Sequence, residues 1–477
     1  MELSKNIFDY LSSLLGADAA FEYDEFIRSA PQKFIRVNHL KTSLEELKLS
    51  LENTYGIISE RVNEIPNALK ITDDKGILGK TIEHISGFYY IQSLSSMLPP
   101  LVLNPSGNDL VLDLCAAPGS KTTELAEMMN NKGTLISNEI QNERVRMLVF
   151  NIERMNIVNT AVIHSKGELL SKTYSNYFDK ILVDAPCSGL GIIQKKNEVT
   201  DWWSVERAKS LGELQLKLLI AAVKMAKPGG EIVYSTCTLT VEENEMVLDT
   251  LLKKYPVEVL EINFPFKAND GIVSYKEKSL NPELKKAKRI LPWEIDSEGF
   301  FIIKLRKTSE TSSPENEILP KRKIKFLNPY SKEIIKQLDK LSRIFGIEKE
   351  VFNEFNFFYR KNDIFFTAKD FMDDNPGQFE RIGLKFGTLD RNNEIALHTN
   401  AAQLLGNNIT KSNYQLQNQD ELKIYLEGGT IKKNIVNYGQ HIVKYNDILL
   451  GTAIISKVGI KSRFPRSKRT QEILKEF

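Results

Sequence analysis

The chain has 477 residues, a formal net charge of +2, 42% hydrophobic and 26% charged side chains, and three cysteines. At a prior of about 150 residues per domain that length predicts several domains, and the composition excludes fibrous, low-complexity and wholly disordered classes. A net charge this small does not announce a nucleic-acid partner, and three widely spaced cysteines with no CxxC exclude a disulfide framework and a cysteine-based zinc site.

The amino terminus, "MELSKNIFDYLSSLLGADAAFEYDEF", is acidic and amphipathic. It lacks the basic start, apolar core and small-residue cleavage site of a secretory signal. No run approaches the roughly 18 consecutive apolar residues that span a membrane, so a cytoplasmic protein without a membrane partner is expected. Residues 1–106 mix helix with short strands, including "KFIRVNHLKTS" and "GFYYIQSLSSMLPPLVL". Over 107–306, six apolar runs read as strands: "DLVLDLC" (109–115), "GTLISNE" (133–139), "TAVIHS" (160–165), "DKILVDAP" (179–186), "GGEIVYST" (229–236) and "GFFIIKL" (299–305). Amphipathic helical stretches such as "KTTELAEMMN" and "ERVRMLVFNIERMN" separate the first five. That alternation predicts an α/β fold with a doubly wound, mostly parallel sheet. The polar segment 307–323 reads as a linker. An intermediate α+β region (324–395) follows, with an amphipathic helix near 330–344 and then "NFFYRKNDIFFTAK". The last part (396–477) is strand-rich, with turn signals at "EGGT" and "KYND". From Lys457 onward, seven basic side chains (Lys457, Lys461, Arg463, Arg466, Lys468, Arg469, Lys475) stand against two acidic ones. This tail can contact phosphates or be a solvated terminus.

Cys115, Cys187 and Cys237 all fall at carboxyl ends of predicted strands, the edge where open α/β sheets bind ligands. The first strand runs into Cys115-Ala116-Ala117-Pro118-Gly119-Ser120-Lys121, a tight turn of small residues whose amides can approach a ligand, with Ser120 or Thr122 able to cap the next helix. Neither a Walker loop nor a GxGxxG fingerprint is present. Glu139, at the end of the second strand, sits where an acid usually binds ribose hydroxyls. "DAPCSGLG" puts Asp184 and Cys187 on one loop. In "STCTLTVEENE", Cys237 ends the fifth strand and Thr240 and Glu243 have capping-box spacing, so a helix start is expected to lower the pKa of a nearby thiol. Two thiols and a carboxylate suggest covalent catalysis. The five histidines show no ligand spacing, and no metal is expected.

Together "RVNHLK", "GFYYIQSLSSM", "VLDLCAAPGSKTT", "NEIQNERVRML", "DAPCSGLG", "YSTCTLTVEENE" and "EGFFIIKLRK" resemble the RNA cytosine-5 methyltransferase family over about residues 30–306. The carboxyl-terminal region resembles the bacterial RsmF-like branch, which acts on 16S rRNA and ends in a PUA-like RNA-binding module. The resemblance implies an S-adenosylmethionine-dependent methyltransferase domain at 107–306, an RNA-binding region at 1–106 and a PUA-like domain at 396–477. It implies that Cys237 attacks cytosine C6, that Asp184 holds the N3/N4 edge, and that Cys187 assists release. It implies cofactor contacts from Cys115 to Lys121, from Glu139 and from Asp184. Just ahead of Gly167 the family usually has an Asp against adenine; here Lys166 holds that cofactor-binding position, and because lysine cannot accept from the adenine amino group, either Ser165 or backbone substitutes or cofactor affinity is reduced. Trp293 also stands where this branch more often has His.

The expected substrate is unpaired or flippable RNA, most simply 16S rRNA or the 30S subunit, anchored by "KRKIKF" (321–326) and "KSRFPRSKR". A tRNA substrate and a non-catalytic RNA-binding assembly factor are the alternatives. The stripe "FNEFNFFYR" is expected to be core rather than a base-stacking surface. No oligomer is implied.

Overall fold

The computed structural model describes residues 2–311, 324–373, 378–391, 393–469 and 472–473. Most of the expected linker, Lys321 to Lys323 of the first basic segment, and Lys475 of the basic tail lie outside the described residues.

A ten-stranded sheet organises the chain. Its order is Asn269–Asp270, Lys288–Ile290, Phe300–Lys307, Ala226–Thr236, Phe178–Asp184, Leu110–Asp113, Thr134–Glu139, Thr160–His164 and Arg381–Ile382, with Val257–Leu260 also paired to Phe300–Lys307. The five strands from Ala226–Thr236 to Thr160–His164 are parallel. Phe300–Lys307 runs antiparallel beside them. Each of the six strands expected between 107 and 306 forms, with ends shifted by at most a few residues. They form because their apolar runs are buried on both faces. Val111, Leu135, Val162, Leu182 and Val233 pack with helices Ser120–Met128 and Asn142–Met155. Leu112, Ile136, Ile181, Ile232 and Tyr234 pack with Val205–Met225 and Glu245–Leu252 on the other face. The chain moves one way from Leu110–Asp113 and then the other way from Phe178–Asp184. The topological switch point therefore lies between those two strands, and a crevice opens at their carboxyl ends.

Ahead of this sheet, helices Lys5–Leu15 and Ala17–Phe26 precede a four-stranded antiparallel sheet ordered Ile58–Arg61, Ala68–Asp73, Lys33–Val37, Tyr89–Ile91. Of "GFYYIQSLSSMLPPLVL" only Tyr89–Ile91 is strand, whereas Leu94–Leu103 is a helix containing Pro99 and Pro100. Burial of Met97, Leu98 and Leu103 in the core outweighs the backbone bonds that the two prolines cannot make.

The carboxyl-terminal half begins with helix Ile335–Phe345 and a four-stranded sheet ordered Phe355–Arg360, Asp363–Ala368, Leu384–Leu389, Ile395–Leu397. The strand Ile395–Leu397 runs across the boundary expected at 395/396. The aromatic stripe is core: Phe352, Phe357 and Phe358 are buried, and Phe357 packs edge-on against Phe386 at 5.0 Å. Arg381–Ile382 leaves this unit to pair antiparallel with Thr160–His164, so the carboxyl-terminal half completes the edge of the central sheet. A five-stranded sheet follows, ordered Asn413–Gln415, Gly439–Tyr445, Ile448–Ser456, Gly459–Ser462, Thr430–Ile431. Its central hairpin turns at Asn446 and Asp447, both left-handed (φ 45° and 65°), as a two-residue turn requires. Among the described residues, no helix is long and apolar enough to cross a membrane.

Candidate active site

The crevice is a cavity of about 710 Å³, a volume ordinary for a cofactor-sized ligand. Cys115, Ala117, Pro118, Glu139, Asp184, Cys187 and Cys237 line it. Lys121 reaches it from below through an ion pair to Asp184. Ala116, Gly119 and Ser120 shape the turn without lining the cavity, and Lys166 points its exposed side chain elsewhere while Gly167 and Glu168 form that corner of the wall.

The turn after Leu110–Asp113 needs glycine at 119. Its φ is +107°, and an added Cβ would meet Leu148 Cδ1 at 3.1 Å. Gly119 is itself the cap residue of helix Ser120–Met128, and no side chain caps it. The capping expected of Ser120 or Thr122 does not occur. The Thr122 hydroxyl instead donates to buried Asp113 Oδ2 at 2.7 Å, and the Ser120 carbonyl accepts from Arg36 at 2.8 Å. Burial pushes the Asp113 carboxyl up to about 7. Arg36, fully buried, also pairs with Glu127 at 2.9 Å and Glu124 at 3.4 Å, which locks the amino-terminal sheet onto this helix.

Glu139 ends its strand with the side chain only 3% exposed. Its Oε1 accepts the Gln141 amide at 2.8 Å, and Arg144 approaches Oε2 at 3.3 Å. A carboxylate fixed this way presents acceptors to a diol in the cavity. With Glu139 as the ribose contact that the family resemblance implies, Glu139→Gln is expected to weaken S-adenosylmethionine binding about tenfold or more, the scale of one charged hydrogen bond, with little change in Tm; calorimetric titration checks it.

On the opposite wall Asp184 is held from two sides. Lys121 Nζ lies 2.8 Å from Oδ2, and the Ser235 hydroxyl donates to Oδ1 at 2.8 Å. Lys121 also donates to Ser96 at 2.9 Å. Cys187 and Cys237 face each other with their sulfurs 3.2 Å apart. The hydrogen bond to Cys237, together with burial, raises the Cys187 thiol well above its ordinary value. Cys115 is likewise raised by burial and stays a neutral thiol. The next helix starts at Glu245, eight residues past Cys237, so the helix start expected at Thr240 lies further along the chain. The lowered thiol expected on these loops is corrected for Cys187, whose thiol is raised instead.

The capping box is corrected too. Thr240 donates to Glu243 at 2.8 Å, but Glu243 is buried and spans two loops instead of closing a helix. It accepts from the Ser188 amide at 2.8 Å and Gln215 at 3.0 Å, and also from the Ser188 hydroxyl, tying the Cys187 loop to the Cys237 loop. Burial raises its carboxyl above the usual range. Three further residues brace the same loops. Tyr23 donates to the Leu190 carbonyl at 2.6 Å, Tyr10 to Glu242 at 2.6 Å, and Arg289 to the Leu239 carbonyl at 2.9 Å while pairing with buried Glu245. Trp293 packs against Tyr23, with ring centroids 5.7 Å apart, and takes no place in the cavity wall.

Gly191 joins the loops directly. Its amide donates to the Cys237 carbonyl at 3.0 Å, and a Cβ there would fall 2.4 Å from the Gly299 carbonyl oxygen and 2.9 Å from that of Cys237. Gly191→Ala is expected to cost about 1–3 kcal/mol of stability by overpacking and to lower methyl transfer by separating the two thiols. Thermal unfolding and a turnover assay measure the two effects separately.

A family model described as 16S rRNA methyltransferase RsmB/F matches residues 100–306. Over 484 aligned residues the chain is 33% identical to the ribosomal RNA small subunit methyltransferase F of Shewanella oneidensis, covering 99% of this chain and 98% of that one. The chain belongs to the RsmB/F methyltransferase family. It is also 34% identical over 310 residues to the tRNA (cytosine(49)-C(5))-methyltransferase of Pyrococcus abyssi, covering 64% of this chain and 97% of the relative. The crystal structure of a methyltransferase homolog protein from Pyrococcus horikoshii matches with a TM-score of 0.56 and 32% identity, covering 64% of this chain and 100% of that one. This RsmB/F protein is an S-adenosylmethionine-dependent RNA cytosine-5 methyltransferase, and its sheet is the Rossmann-like methyltransferase fold.

Proposed function

We propose that the protein methylates C5 of a cytosine in 16S rRNA through a transient covalent bond from Cys237 to C6. The observation that carries this reading is the pair of facing sulfurs, Cys187 and Cys237, on the same cavity wall as the braced Asp184 carboxylate. The full-length similarity to a small-subunit rRNA methyltransferase supports the choice of RNA.

Cytosine C5 is a poor nucleophile, and S-adenosylmethionine, when bound, supplies an electrophilic methyl group. The cavity fits that cofactor: Glu139 would offer buried acceptors to the ribose hydroxyls, the turn from Cys115 to Lys121 would offer close backbone, and Asp184 would stand toward the methionine end, as in the family. Lys166 is exposed, and Gly167 and Glu168, which line that corner of the cavity, would stand on the adenine side that the family's usual Asp would serve.

Cys237, as thiolate, forms a bond to C6, and the displaced π pair makes C5 enamine-like. Asp184 hydrogen-bonds the N3/N4 edge and stabilises the adduct, with Lys121 and Ser235 keeping the carboxylate in place. C5 would then take the methyl group as the methyl–sulfonium bond breaks with its pair on that sulfur, and release needs the C5 proton to pass to solvent, its bonding pair to rebuild the C5–C6 double bond, and the Cys237–C6 bond to break with its electrons returning to the Cys237 sulfur. Cys187, 3.2 Å from the departing sulfur, assists that step.

The substrate base must be splayed from its stack to reach this wall. The amino-terminal sheet (residues 1–106) and the five-stranded carboxyl-terminal sheet, assigned here to a PUA-like unit, would grip the flanking RNA. Exposed Lys457, Lys461, Arg463 and Arg466 support that role. The enzyme would act in the cytoplasm, where that RNA resides.

Radiolabelled methyl transfer to 16S rRNA, 30S subunits and tRNA, followed by bisulfite mapping, tests the assignment. Label in a 16S cytosine, in free or assembled form, is expected. Label in tRNA alone would overturn the substrate.

A further inference from the structure

The basic tail is not uniformly a solvated surface. Lys468 is 3% exposed, and its Nζ has no hydrogen-bond partner. It lines a second cavity, about 240 Å³, where the end of helix Asn142–Met155 meets the carboxyl-terminal half. Asn400, 1% exposed, lines the same cavity with Nδ2 also unpartnered. Its main-chain carbonyl oxygen, by contrast, accepts from Asn156 Nδ2 at 2.9 Å. Two buried donors without acceptors in one polar cavity are costly unless a ligand accepts from them.

The remaining walls favour an anion. Arg381 and Lys385 add two cations, offset by their partners Glu153 and Asp363, the latter 2.8 Å from Lys385. With Lys468 the site carries a net positive charge. His398 Nδ1 accepts the Asn400 amide at 3.3 Å, and burial pushes the imidazole down to about 3, so the neutral ring carries its proton on Nε2 as a further donor. Burial also lowers Lys468 to about 8, so it remains mostly protonated at pH 7. We propose that this cavity is a phosphate-binding site, with Lys468 and Asn400 as its principal donors.

The substrate's own backbone is one source of that phosphate, and free phosphate or a phosphomonoester is another. The catalytic cavity takes Arg144 from the first turns of the same helix that brings Glu153 here, roughly 14 Å further along its axis. A polynucleotide engaged at the active site could therefore reach this cavity. That choice of source rests on the RNA-methylating reading; the phosphate site does not.

The test uses the full chain and Lys468→Met. Removing a buried, unpartnered cation is expected to leave the fold intact and raise Tm in phosphate-free buffer. Inorganic phosphate, against chloride at matched ionic strength, is expected to raise the wild-type Tm with the logarithm of its concentration above Kd and to leave the variant unmoved. Wild type unmoved by phosphate, or a variant stabilised equally, would overturn the site. Filter binding of 16S rRNA identifies the source. A loss of about tenfold in affinity and a salt slope shallower by about one, with S-adenosylmethionine affinity unchanged, assigns a backbone phosphodiester. Unchanged RNA affinity together with phosphate stabilisation assigns a free phosphate. Phosphate stabilisation does not depend on methyl transfer, so this site can fail while the catalytic reading stands, and the reverse.

Discussion

Cys237→Ala is expected to lower methyl transfer by roughly 10⁴-fold or more while leaving S-adenosylmethionine affinity and Tm near those of the parent. On the proposed mechanism that sulfur is the atom that makes C5 reactive, and with Cys187 assigned to release no second nucleophile stands in for it. Asp184 accepts hydrogen bonds but is held by Lys121 and Ser235, and Cys115 is a buried neutral thiol. The same variant has a second signature. Cys187 owes its raised thiol pKa first to the hydrogen bond with Cys237. Deleting Cys237 should therefore shift the alkylation of Cys187 to lower pH, which a pH profile of iodoacetamide labelling measures. Retained activity would remove the nucleophile from the account.

Cys187→Ala is expected to fail at the opposite end of the cycle. Cys237 is still present, so the bond to RNA forms, but its release loses the thiol that sits 3.2 Å away. Turnover should fall to about one event per enzyme, and a complex with RNA that survives denaturant should accumulate, visible as a retarded band. If that complex is absent and turnover persists, the roles of the two thiols are misassigned. Glu243 separates this chemical role from a positional one, because Glu243→Gln disturbs both loops and should lower activity without trapping RNA.

The catalytic sheet was legible because its strands are apolar on both faces and broken by helical periodicity, a pattern that only a covered parallel sheet explains. The three cysteines were legible as a site for a related reason. Each follows one of those strands, and the parallel pairing of Phe178–Asp184 with Ala226–Thr236 brings Cys187 and Cys237 onto one wall. What stayed hidden depends on pairs distant in sequence. Lys121 stands among the expected cofactor contacts, and nothing in the sequence pairs it with Asp184 until Phe178–Asp184 comes alongside Leu110–Asp113. Glu243 fits a capping box so well by spacing that its real partners, Ser188 and Gln215, leave no local trace. Leu94–Leu103 carries two prolines, and its helix exists through tertiary burial rather than propensity. Arg381–Ile382 is too short for any alternation, and its pairing is supplied by the exposed edge of Thr160–His164. Lys468 sits in a run of basic residues, and only the fold shows that it turns inward.

The most direct measurement uses substrate RNA carrying 5-fluorocytosine at the target position. Fluorine cannot leave C5 as a proton does, so a covalent intermediate formed there cannot resolve. After incubation with S-adenosylmethionine, nuclease and protease digestion followed by peptide mass spectrometry should find the methylated fluoropyrimidine on the peptide bearing Cys237, and on no other. A nucleotide attached to Cys187, or turnover with no protein-bound nucleotide, would contradict the central claim that the sulfur at position 237 activates the base.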